Sequence, residues 1–184
     1  MPWHLTVPIS REAAVAGPGN RLIIMGGLTA GGASASGIYA VRTATGAARY
    51  LGALSAPRHD AAAAVIGGHT LIFGGGSQVS IATVQSFVLP GQGAHAPATT
   101  ATTVGSLPMP RSDVAGVTIG RTAYLAGGYD GSRPDAAVLA TTNGRNFTTV
   151  ARLPVPVRYP AVAALAGQVF VFGGQAVTGP HAGA

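Results

Sequence analysis

Short apolar runs recur along the chain, and each is closed by a pair of glycines. Leu22-Ile23-Ile24-Met25 precedes Gly26-Gly27, and Leu71-Ile72-Phe73 precedes Gly74-Gly75. Tyr124-Leu125-Ala126 precedes Gly127-Gly128, and Val169-Phe170-Val171-Phe172 precedes Gly173-Gly174. The doublets lie 48, 53 and 46 residues apart. An arginine stands upstream of each: Arg11 and Arg158 at 15 residues, Arg58 and Arg111 at 16. Ahead of the arginines come Leu5-Thr6-Val7-Pro8, Leu54-Ser55-Ala56-Pro57, Leu107-Pro108-Met109-Pro110 and Leu153-Pro154-Val155-Pro156. Four columns agreeing in four copies identify a stacked repeat of one supersecondary unit.

The third copy shows what one unit contains. Asp113 to Ile119 reads as a strand of small apolar residues, Gly120-Arg121 as a turn, and Thr122 to Ala126 as a second strand closed by the doublet. A polar loop, Tyr129-Asp130-Gly131-Ser132-Arg133-Pro134, leads to a third strand, Ala136 to Thr141. Asn143-Gly144 is a hairpin signal, and Asn146 to Ala151 reads as the fourth strand. The Ala-rich first segments, such as Ala61 to Ile66, are too short before their glycines for a stable helix. Small residues there suit a strand crowded near a central axis. The doublets permit a left-handed exit from the second strand and a close approach of neighbouring backbone. A phosphate-cradling role is disfavoured, because the doublet recurs in every unit without a GxGxxG fingerprint.

These columns resemble the kelch repeat, within the superfamily that includes galactose oxidase, over nearly the whole chain from Trp3 to about Gln175. The Gly-Gly and Arg columns match in every unit. The aromatic columns match less well: Tyr39, Phe87 and Leu139 stand for the third-strand aromatic, and Phe147 for the fourth-strand Trp of unit three. The resemblance implies an all-β, kelch-type β-propeller of four-stranded blades with the first strand innermost. The chain holds about three complete blades with partial blades at both ends: a blade end over 1–8, units over 9–56, 57–109 and 110–155, and a partial unit over 156–184. Trp3 to Pro8 resembles the end of a kelch fourth strand. With kelch propellers usually carrying six or seven blades, the expected form is a partial propeller rather than a closed four-bladed ring. Self-association through exposed blade edges is then expected.

Composition narrows the chemistry. The 184 residues carry 28 Gly and 13 Pro, a richness that fits many short strands joined by turns. All 11 basic residues are Arg, with five acids and a net charge of +6. The Arg and Ala usage points to a GC-rich bacterial genome. Without Lys there is no Walker-type phosphate loop and no Schiff-base nucleophile. Without Cys there are no disulfides or thiolate metal sites, and the Tyr–Cys cross-link of a copper radical oxidase cannot form. The five His, at 4, 59, 69, 95 and 181, show no ligand spacing, so no metal or cofactor is expected. Met1 to Arg11 lacks a signal-peptide pattern, although the composition suits an exported protein. The uncharged segment Ala161 to Val177 reads as two buried strands rather than a membrane span.

The repeat arginines are the leading binding candidates. Arg11, Arg58, Arg111 and Arg158 are expected at one height around a propeller axis, where a ring of guanidinium groups would bind carboxylate or phosphate. Tyr129, Asp130 and Tyr159 would add stacking and hydrogen bonds on the same face. The competing reading has these arginines pairing with carbonyls of a neighbouring blade. His59-Asp60, beside Arg58, reads as a turn ion pair, and Asp113 as its counterpart in the next unit. The expected function is a non-enzymatic binding or scaffold module for a protein, an acidic glycan or an anionic small molecule, with no specific nucleic-acid binding. The alternative is a sugar mutarotase or epimerase, a type of enzyme that the kelch resemblance also admits.

Overall fold

The structure, a computed structural model, describes residues 3–5, 7–89 and 98–176. Within them are seventeen strands and no helix. The first unit holds β1 (Ile9–Ser10), β2 (Ala13–Gly17), β3 (Arg21–Met25), β4 (Leu28–Thr29), β5 (Gly37–Arg42) and β6 (Ala48–Ala53). The second holds β7 (Ala62–Ile66), β8 (His69–Phe73), β9 (Thr83–Val88), β10 (Thr99–Thr100) and β11 (Thr102–Ser106). The third holds β12 (Ala115–Ile119), β13 (Thr122–Ala126), β14 (Asp135–Thr141) and β15 (Thr148–Val157). The last described pair is β16 (Ala161–Leu165) and β17 (Gln168–Phe172).

Each unit makes its own antiparallel meander. The sheet orders are β2-β3-β5-β6, β7-β8-β9-β11 and β12-β13-β14-β15, followed by the two-stranded β16-β17. The first strands lie beside one another from sheet to sheet, β2 by β7, β7 by β12 and β12 by β16. The amide of Val65 on β7 donates to Thr118 Oγ1 on β12 at 3.1 Å. The four sheets do not close into a ring.

Two apolar layers fill the spaces between sheets. Ile23, Met25 and Ile38 of the first sheet meet Ala61, Ala63, Ile72 and Phe87 of the second. The opposite face of the second sheet, with Ala62, Ala64, Leu71, Phe73 and Val84, meets Val114, Ala123, Leu125 and Leu139 of the third. Alternate residues of β7 therefore serve different layers, as the period of two requires. A strand buried on both faces reads as a continuous apolar run, and convergence of the first strands keeps it small. A Cβ on Gly116 of β12 would meet the Leu125 side chain at 2.9 Å and Ala62 at 3.3 Å. Phe147 reaches back from the third sheet to make an edge-to-face contact with Phe73, centroids 6.2 Å apart. Phe147, just ahead of β15, thus fills the space between two sheets.

The glycine doublets end β3, β8, β13 and β17 and act as clasps between consecutive units. The amide of Gly27 donates to the Arg58 carbonyl at 2.8 Å, and that of Gly75 to the Arg111 carbonyl at 2.9 Å. The amide of Gly128 donates to the Val157 carbonyl at 2.8 Å. The preceding glycine, at φ 59 in Gly74, brings its Cα so close that a Cβ would overlap the Arg111 carbonyl oxygen.

One local expectation is corrected at the start of the chain. Trp3 to Pro8 does not continue a fourth strand in the described residues. Instead the Trp3 indole N–H donates to the Thr43 carbonyl at 2.8 Å, and its ring packs over the Gly46 turn. Gly46, where a Cβ would meet the indole at 2.6 Å, leaves room for it. Unit two departs from the simple meander between β9 and its outer strand. β10 first pairs parallel with β6 as a fifth strand of the first sheet, and the chain then crosses at the buried Ala101 to β11. No helix in the described residues is long and apolar enough to cross a membrane; 161–172 forms the hairpin β16–β17, whose strands are largely exposed rather than buried as expected, and Val177 lies outside the described residues.

Candidate functional site

The chain enters each first strand through a residue in the left-handed region. These residues are Arg11, Asp60, Asp113 and Tyr159, with φ of 58, 58, 54 and 51. Each precedes the first ladder residue of its strand by two positions, since Ala13, Ala62, Ala115 and Ala161 pair with Met25, Phe73, Ala126 and Phe172. They are the equivalent positions of the four units. Two backbone bonds tie them together: the Asp60 amide donates to the Arg11 carbonyl at 2.8 Å, and the Tyr159 amide to the Asp113 carbonyl at 2.9 Å.

This register corrects the four-arginine ring. Only Arg58 and Arg111 are equivalent. Arg158 follows that position by one residue and Arg11 by two. The first hairpin explains the slip in unit one, because Gly17 pairs with Arg21 across Pro18-Gly19-Asn20, whereas Ile66 pairs with His69 across two residues. Counting back from the doublet therefore placed Arg11 one position too early.

The two equivalent arginines are 2% exposed. Arg58 Nη1 donates to the carbonyls of Gly74 at 2.9 Å and Thr83 at 3.2 Å, and its Nη2 to Thr83 Oγ1 at 3.1 Å. Arg111 Nη1 donates to the carbonyls of Gly127 at 3.3 Å and Ala137 at 3.0 Å, and its Nη2 pairs with Asp135. Both guanidinium groups thus tie the glycine after the second strand to the start of the third strand of their own sheet, rather than bonding a neighbouring one. Burial pulls Arg58 down to about 10 and lowers Arg111 as well, the latter against the attraction of Asp135. Neither faces solvent, so neither is available to a ligand.

Arg11 and Arg158 do come together, with Tyr159 between them. Arg11 grips Asp60 side-on, Nε to Oδ1 at 2.8 Å and Nη2 to Oδ2 at 2.7 Å, and its Nη2 lies 3.9 Å from Asp113. Arg158 Nε donates to Asp113 Oδ2 at 2.5 Å. The Tyr159 hydroxyl accepts from Arg11 Nη2 and, at 3.3 Å, from Arg158 Nη2. The Arg158 guanidinium also stacks over the Tyr129 ring, 4.1 Å from its centroid. A cavity of about 240 Å³ opens here, with Arg11, Asp60, Asp113, Tyr129 and Arg158 among its walls.

The carboxylates lie at the back of this cluster and the arginines in front. Asp60 and Asp113 side chains are 6% and 1% exposed, against 37% and 28% for Arg11 and Arg158. Burial, and then the nearby charge of Asp113, raise Asp60 to about 6, although Arg11 opposes the rise. His59 bonds Ser34 Oγ through Nδ1 at 2.9 Å. Burial and Arg11 hold its pKa below the ordinary value, with Asp113 opposing. Burial opposes the charge of both outer arginines, but Asp60 and Tyr159 raise Arg11, and Asp113 and Tyr159 raise Arg158.

Asp130 is not part of the cluster. Its Oδ1 accepts from the amides of Ser132 and Arg133, at 2.7 and 2.8 Å, and closes its own loop. Burial works to raise its pKa, but these bonds and the Ser132 hydroxyl hold it below the usual carboxylate range. Of the seven candidate residues, the structure brings together Arg11, Arg158, Tyr129 and Tyr159. Asp60 and Asp113 were read as turn residues but belong at the centre. Alignment on the first strand, instead of on the doublet, is the signal that finds them. No group of three or more His, Asp or Glu suited to a metal occurs among the described residues. The chain matches no family model and no curated protein.

Proposed function

We propose that this chain is part of a kelch-type β-propeller and serves as a non-enzymatic binding module, with the Arg11–Arg158 cluster as the docking face for an acidic glycan. Three four-stranded meanders with adjoining first strands and doublet clasps support the propeller reading. The observation that carries the binding reading is the layering of the cluster, acids buried and arginines exposed, at the side where the four first strands begin. Such layering turns positive charge towards solvent in spite of the local ion pairs. Asp60 has the raised pKa of an acid–base group, which favours the alternative of a sugar mutarotase or epimerase. A general base must reach a substrate proton, however. Asp60 is 6% exposed and both its oxygens face Arg11, which favours binding over turnover.

Calorimetric titration with oligogalacturonate and with a neutral galactose oligomer of the same length tests this reading. Binding of the acidic oligomer alone, weakening as salt rises, is the expected result. Equal affinity for both oligomers, or measurable mutarotation of a reducing sugar, overturns it.

A further inference from the structure

We infer that Arg11, Arg158 and Tyr159 form a single three-donor oxyanion site that takes the carboxylate of a uronic acid residue. The inference rests on the binding reading above and names the group recognised. A phenolic hydroxyl has one donor hydrogen and two acceptor lone pairs. Tyr159 spends both lone pairs on Arg11 Nη2 and Arg158 Nη2, so its hydrogen is left over, and Tyr159 is 42% exposed. Each guanidinium has five N–H donors. Arg11 uses Nε and Nη2 on Asp60 and Tyr159, while Arg158 uses Nε and Nη2 on Asp113 and Tyr159. Nη1 of both arginines makes no hydrogen bond within the described residues. The outward inventory is two Nη1 groups and one O–H, all donors.

Three of the four carboxylate oxygens of the cluster are already committed. Both oxygens of Asp60 face Arg11, and Asp113 Oδ2 faces Arg158. A neutral hydroxyl ligand would need acceptors as well as donors to saturate it, whereas a carboxylate is acceptor-only. The buried acids fix the arginines in place, so little side-chain entropy remains to be lost on binding. Tyr129 holds the Arg158 plane from below. Arg58 and Arg111 take no part, which separates this site from a ring of repeat arginines.

The test uses the whole chain and two probes, acidic oligogalacturonate and its neutral carboxyl-reduced form. Tyr159→Phe removes the hydroxyl and keeps the ring. It should weaken oligogalacturonate binding about tenfold, the equivalent of one hydrogen bond to a charged group. Arg158→Lys, which keeps the charge but not the planar fork, should weaken binding by a similar factor of roughly ten. Carboxyl reduction of the probe should abolish binding to the native chain and leave nothing for either variant to lose. Thermal unfolding of Tyr159→Phe should match the native chain, since the lost groups are exposed. Failure of oligogalacturonate to bind the native chain refutes both the binding reading and the site. Tight binding that both variants retain refutes the site alone, and leaves another part of the face as the binder. Binding of the reduced probe with native affinity refutes the carboxylate assignment.

Discussion

Arg58→Met tests the reading that the repeat arginines are internal struts. The side chain is 2% exposed and makes three hydrogen bonds, to the Gly74 and Thr83 carbonyls and to Thr83 Oγ1. Bonds from a charged donor contribute about 1.5–3 kcal/mol each. The cost of burying the charge opposes them. A guanidinium held down to about 10 has lost about 3 kcal/mol of its preference for the charged form. Its Nε also finds no acceptor, which trims the gain further. Methionine fills much of the stem but leaves the buried Gly74 carbonyl without its donor, while the Thr83 carbonyl keeps the Gly74 amide. The expected net loss is about 2–5 kcal/mol, a large share of the stability of a domain of this size. Urea unfolding followed by far-ultraviolet circular dichroism measures it as a lower midpoint at unchanged slope. Arg133→Ala is the control: its side chain is 76% exposed and its 3.5 Å pair with Asp130 should count for less than about 1 kcal/mol. A loss at Arg58 below about 1 kcal/mol would refute the strut. Loss of oligogalacturonate binding in a variant that unfolds like the native chain would return Arg58 to the ligand.

Other outcomes follow from the same geometry. Gly74→Ala should cost more than about 3 kcal/mol by urea unfolding, because the new Cβ meets the Arg111 carbonyl and φ is positive, whereas Gly120→Ala, with open space around it, should cost only about 1 kcal/mol. Asp60 is raised in the folded chain to about 6 from an unfolded value near 3.9, so the folded state holds the proton more tightly. Its contribution, of up to about 3 kcal/mol, is complete below roughly pH 4 and is lost as pH rises through 6, and Asp60→Asn should flatten that part of the stability profile. Phe147→Ala should lose about 2 kcal/mol in the same unfolding assay through its contact with Phe73, and a change below about 0.5 kcal/mol would deny it a part in the packing between sheets.

The sequence disclosed strands better than it disclosed register. Apolar runs, turn residues and doublets placed β12, β13 and β14 within two residues of where they lie, because each signal is local. The position of an arginine relative to its neighbours in other units is not local. It depends on the length of every turn between the arginine and the chosen landmark, and one extra residue around Gly19 moved Arg11 out of line. The same arithmetic hid Asp60 and Asp113 as partners of the arginines, although each was visible as a residue. The detour of β10 to the first sheet had no signal in Thr99-Thr100, since a two-residue parallel pairing needs only extended backbone beside a free strand edge. Burial of Arg58 and Arg111 was also illegible: a column of arginines reads the same whether it faces carbonyls or solvent.

The doublet clasp joins one unit to the next through main-chain atoms. The donor is an amide that every residue except proline possesses, and the acceptor is a carbonyl that every residue possesses. The join asks only for glycine on one side, so the side chains on the other can be arginine at 58 and 111 or valine at 157. Units held in this way are interchangeable at the seam. A gene that duplicated one of them would supply a segment that already docks on both neighbours, so the number of units in such a protein can change without redesign of the joint.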